Sequence, residues 1–70
     1  MKTDYFCPLC GAEIKELEYL TYGGIANASV LCQRCMYKVD VTGAETDGRE
    51  KLMDRAKKEL IEAVKRLYEL

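Results

Sequence analysis

Phe6-Cys7-Pro8-Leu9-Cys10-Gly11 near the start and Cys32-Gln33-Arg34-Cys35 near the middle of the chain decide how it folds. Each pair of cysteines encloses two residues, and 21 residues separate the pairs. A tight turn of that length lets both sulfurs face one ion, and two such turns complete a tetrahedral thiolate shell with zinc–sulfur bonds of about 2.3 Å. Pro8 fixes φ in the first turn, and Gly11 follows Cys10 where the chain reverses with its N–H groups turned towards sulfur. The second turn has Met36 at the equivalent place, which makes it the less typical of the two without altering the ligand count. Cys7, Cys10, Cys32 and Cys35 are therefore read as the ligands of one zinc ion per chain. Two disulfides, or iron in place of zinc, are the lesser alternatives.

The size of the chain calls for such a staple. Seventy residues form one domain too small for an apolar core to hold comfortably alone. Almost half the residues are apolar and a third are charged, a globular balance. The first residues carry no apolar run of signal-peptide length, and no segment approaches the roughly 18 residues of a membrane span, so no membrane is expected and the cytoplasm is the expected location. In a reducing compartment paired cysteines read as metal ligands rather than disulfides.

Outward from the cysteines, Ile14–Tyr22 and Ile25–Leu31 are rich in β-branched and aromatic residues. Gly23-Gly24 between them is a two-residue hairpin turn, since both positions tolerate φ > 0. Tyr37, Val39 and Val41 alternate with Lys38, Asp40 and Thr42, as in a third strand with one buried face, and Gly43 then breaks the pattern. Asp47 and Glu50 form an Asp-x-x-Glu capping box that starts a helix near Gly48. From there Leu52, Met53, Ala56, Leu60, Ile61, Ala63, Val64, Leu67, Tyr68 and Leu70 fall within an arc of roughly 180°, wider than one packing surface needs. The sequence thus reads as a small α+β metal-stabilised domain, a three-stranded antiparallel sheet over residues 1–46 and a long amphipathic helix over 47–70, forming one structural unit.

The two Cys-x-x-Cys turns with strand-forming segments between and after them resemble the zinc ribbon, two zinc knuckles on three antiparallel strands, over about residues 4–42. That resemblance implies a metal site and a fold and is almost empty for function. The ribbon-then-helix layout is also distantly similar to the small phage-type restriction-alleviation proteins of the Lar family, although no glycine follows Cys35 and the helix reads Glu62-Ala63-Val64-Lys65-Arg66-Leu67-Tyr68 in place of that family's ending. Tyr5 to Gly11 matches the start of rubredoxins and rubrerythrin tails, but a second Cys-Pro-x-Cys-Gly is missing.

Catalysis is not expected. The sequence has no histidine, its one serine, Ser29, lies in no nucleophile motif, and no phosphate loop is present. Four sulfur ligands also leave zinc no open position for an activated water. Charge argues against a strong nucleic-acid binder: residues 1–46 carry a net of −2 and residues 47–70 a net of +1. The favoured expectation is a non-catalytic protein-interaction or regulatory module, an adaptor, accessory subunit or phage-type inhibitor, that self-associates as a dimer or docks a partner through Leu52, Met53, Leu60, Val64, Leu67 and Tyr68 of the helix. Met53, Ala56, Leu60, Ala63, Leu67 and Leu70 lie at the 3-4 spacing of a helix–helix seam. The alternative is a nucleic-acid-binding ribbon of a transcription-type factor using Arg34, Tyr37 and Lys38.

Overall fold

A computed structural model describes residues 5–68. The elements run β1 (Ile14–Tyr22), β2 (Ile25–Cys32), β3 (Tyr37–Ala44), a 3₁₀ turn (Glu45–Asp47) and α1 (Arg49–Tyr68). The strands form an antiparallel sheet in the order β1-β2-β3. Gly23 and Gly24 take φ of +56° and +83°, and Tyr22 pairs with Ile25 across the turn, as expected of a two-residue hairpin whose twist matches its strands.

β2 explains which face the helix covers. Ala26, Ala28, Val30 and Cys32 alternate along it and are fully buried, small side chains that let α1 lie close over β2 and β3. Their partners on β3 are Gly43, Val41, Val39 and Tyr37. From the helix side Leu52, Met53, Ala56, Leu60 and Val64 meet them, each 2% exposed or less. The buried cluster joins sheet, helix and the two buried sulfurs of Cys7 and Cys32.

Three local features differ from the sequence reading. β3 does not stop at Gly43 but continues to Ala44. Gly43 serves close approach instead: a Cβ there would stand 2.8 Å from Leu52 Cδ1. Asp47 belongs to the 3₁₀ turn, and Gly48, at φ +89°, leads into α1; the backbone N–H of Leu52 bonds to the Gly48 carbonyl at 3.3 Å. The helix therefore begins from a glycine bend, with no carboxylate from Asp47 bonded to its first turn among the described residues. Finally, a bulge between Glu16 and Glu18 shifts the alternation of β1, so that Glu16 faces the helix together with Ile14 and Tyr19.

That shift makes Glu16 the tie between β1 and α1. Its carboxylate stands 2.8 Å from Arg49 Nη2 and 3.0 Å from Lys57 Nζ. Lys57, with Arg49 adding to it, holds the Glu16 carboxyl below the ordinary glutamate value. Tyr5 lies beside the same helix, where the nearby Asp54 carboxylate raises its phenol above the usual range. Along the helix surface the Asp54–Lys58 pair forms at 3.6 Å.

The wide apolar arc of α1 is spent inside the chain. Leu52, Met53, Leu60 and Val64, expected to contact a partner, are core residues, and the seam expected along Met53, Ala56 and Leu60 is covered by the chain's own sheet. Of the expected partner residues only Leu67 and Tyr68 are exposed; Leu70 lies outside the described residues. No helix among the described residues is long and apolar enough to cross a membrane.

Candidate metal centre

The two cysteine turns are built alike. In the first, Cys7 N–H bonds to the Ala12 carbonyl and Gly11 N–H to the Cys7 carbonyl, both at 2.8 Å. Phe6 bridges Glu13 beside it, so residues 5–14 form a miniature hairpin that runs on into β1. In the second, Met36 N–H bonds to the Cys32 carbonyl at 2.7 Å. Each turn ends on a left-handed residue, Gly11 at φ +74° and Met36 at φ +58°. Met36 is the one non-glycine with positive φ among the described residues, and its side chain is exposed. The atypical residue of the second turn thus adopts the glycine geometry, which sets a methionine in a conformation that L-residues avoid.

Because β1 and β2 pair in register from Ile14↔Cys32, the two turns project from the same end of the sheet. All four sulfurs lie within 4.8 Å of one another. Cys7 Sγ is 3.7 Å from Cys35 Sγ, and Cys10 Sγ is 3.4 Å from Cys32 Sγ and 3.3 Å from Cys35 Sγ. All four are free thiols, so the expectation of metal ligation stands against that of disulfides. A tetrahedral ion with 2.3 Å bonds requires sulfurs about 3.8 Å apart, so a set of this size fits one zinc with a small outward adjustment. Cys7 and Cys32 are buried under the helix side of the core, while Cys10 and Cys35 are half-buried.

The protonation of the set is uneven. The Ala12 N–H beside the Cys10 sulfur pulls that thiol down to about 7 from an ordinary 9.0. Cys35 is pushed up to about 12, chiefly because its thiol donates to the Cys10 sulfur, and burial pushes Cys32 up. One thiolate held by neighbouring thiols is stable; four thiolates this close need a divalent cation to offset their repulsion. Metal uptake therefore releases protons and strengthens with pH. The Cys35 N–H, 3.4 Å from Cys32 Sγ, adds a dipole that spreads the remaining negative charge.

No protein-family model, curated protein or solved structure matches this chain. The resemblances drawn from its knuckles rest on cysteine spacing and layout alone.

The other expected site residues do not converge. Arg34 and Lys38 are exposed and Tyr37 is half-buried. Tyr37 and Lys38 are consecutive on β3, so one faces the helix side and the other the open side of the sheet, and they do not form a common stacking platform. A surface that sequence reasoning did not single out lies at the hairpin end of the open face. Leu20, Tyr22 and Ile25 stand there 58%, 90% and 56% exposed, lining a shallow depression with Thr21 and Asn27. The signal was present in β2: the small residues Ala26 and Ala28 mark the covered face, which leaves Ile25 and its pairing partner Tyr22 on the other.

Proposed function

We propose that this chain is a non-catalytic protein-interaction module whose fold is held by one structural zinc ion. Cys7, Cys10, Cys32 and Cys35 would hold the metal, which supplies stability on the order of 10 kcal/mol, comparable with the whole stability of a small domain. Four thiolate ligands fill its coordination shell, so its chemistry is that of a cross-link. A reducing compartment, as in the cytoplasm, suits ligands that must remain thiolates.

The observation that carries the interaction reading is the apolar group Leu20, Tyr22 and Ile25 on the face of the sheet opposite the helix. Large side chains this exposed and this close together on a rigid hairpin mark a contact surface for another protein. The surface moves from the helix, where the sequence placed it, to the hairpin. Replacing Tyr22 with photoreactive benzoyl-phenylalanine tests it in the native host. The expected result is one discrete covalent protein adduct that the added substitution Ile25→Glu abolishes. Irradiation that yields no adduct, or one indifferent to Ile25→Glu, would overturn the reading.

A further inference from the structure

The two outer strands of the sheet are guarded differently. β1 is bulged at Leu17 and flanked at its Ile14 end by residues 5–6, devices that spoil pairing with another chain. β3 keeps an unbroken register with β2 over all eight residues, with no bulge and no proline.

The register also shows which backbone groups β3 offers. Glu45 N–H bonds to the Gly24 carbonyl at 2.8 Å, which continues the Ile25↔Ala44 pairing by one step. In an antiparallel ladder the hydrogen-bonding direction alternates, so Tyr37, Val39, Val41 and Gly43 turn their N–H and C=O groups to β2. Those of Lys38, Asp40 and Thr42 point outward, unpaired among the described residues. The side chains of Lys38 and Asp40 stand exposed on the open face, two residues apart and opposite in charge. Asp40 accepts a hydrogen bond from Ser29 Oγ, which fixes its carboxylate there, and no ion pair among the described residues engages Lys38.

We propose that β3 pairs antiparallel with β3 of a second copy, Lys38 of each chain opposite Asp40 of the other, to make one six-stranded sheet. In this register Val39 faces its own copy across the two-fold axis and Tyr37 faces Val41 on the helix side. The Lys38–Asp40 pairs fall at hydrogen-bonded positions, as the outward direction of their backbone groups requires. Charge selects the register: sliding by two residues sets Asp40 against Asp40. A single charge on an edge strand repels a second strand, but this pattern is complementary to itself in one alignment. Since α1 lies over β2 and β3, the two-fold axis brings both helices to the same face of the joined sheet.

The proposal rests on the reading of the chain as a protein-interaction module and assigns it one partner and one edge. Sedimentation velocity on the zinc-loaded full chain up to about 0.5 mM is expected to show a dimer. Lys38→Glu and Asp40→Lys each place like charges opposite one another and are expected to weaken that dimer about 10- to 100-fold. Mixed in equal amounts, the two variants restore both attractive pairs, and native mass spectrometry should find the mixed dimer in excess of either pure one. Zinc content and circular dichroism of each variant report whether it folds. Backbone amide exchange in the wild type supplies a readout free of substitution: Lys38 and Asp40 should gain protection as concentration rises. A wild-type monomer throughout, single variants that dimerise as the wild type does, a mixture no tighter than its components, or exchange at these two amides independent of concentration would each overturn the pairing. None of those results touches the hairpin surface, which the Tyr22 adduct tests separately.

Discussion

Gly43→Ala isolates the contact that seats the helix on the sheet. Gly43 is not among the residues with positive φ, so alanine fits its backbone and the effect is steric. The added methyl would lie 2.8 Å from Leu52 Cδ1, about 0.7 to 1.2 Å inside ordinary carbon–carbon contact. Leu52 is buried beneath the helix, so the clash must be relieved by a strained rotamer or by lifting α1, an overpacking penalty of about 1–3 kcal/mol. Reduced freedom of the unfolded chain returns about 0.4–1 kcal/mol. The net expectation is a loss of about 1–2 kcal/mol, and in a domain of this size each kcal/mol lowers Tm by about 4–8 °C. Thermal unfolding followed by circular dichroism at fixed excess zinc reads it, since metal concentration itself moves Tm. Leu52→Val removes the Cδ1 atom, so in that background Gly43→Ala should be neutral or stabilising, a coupling of about 1 kcal/mol or more. A Tm for Gly43→Ala at or above that of the wild type, or the same loss in both backgrounds, would refute the close approach.

Met36→Gly should raise stability by about 0.5–1 kcal/mol: relief of the left-handed strain outweighs the extra freedom of an unfolded glycine, and the exposed Met36 side chain loses little packing. A lower Tm would contradict the equivalence of the two turns. Glu16→Gln should lower stability at neutral pH by about 1 kcal/mol through loss of the charge between Lys57 and Arg49. Since the Glu16 carboxyl is lower in the folded chain than its ordinary 4.5, its contribution is present in full above 4.5 and disappears as pH falls through the depressed value. Denaturant titrations of the two zinc-loaded proteins should therefore differ by the same amount from pH 7 down to the acid limit at which thiolate protonation releases zinc; no gap at pH 7, or one that shrinks well above 4.5, would contradict the ion pairs.

The sequence made the sheet legible because its signals were local. Gly23-Gly24, the β-branched segments around it and the alternation from Tyr37 each report on a few neighbouring residues, and the Cys-x-x-Cys turns announce their own geometry. The face of the sheet that the helix covers depends on residues distant in sequence. The bulge at Leu17 changes the phase of β1, and only with that phase known does Glu16 point at Lys57 rather than at solvent. The helix shows the same limit in another form. A 180° arc on α1 signals more apolar surface than one flat contact consumes, yet a twisted sheet with small residues at Ala26 and Ala28 receives Leu52, Met53, Ala56, Leu60 and Val64 together. Gly43 reads as a strand breaker in one dimension and as a close-approach site in three.

Native mass spectrometry of protein purified with its metal retained and exchanged into metal-free volatile buffer tests the central claim most directly. One zinc ion per chain, and loss of the β-sheet circular dichroism once a chelator removes it, are the predicted results. A chain that carries no metal yet stays folded, a mass lower by about four hydrogens from two disulfides, or stoichiometric iron in protein from the native host would contradict it.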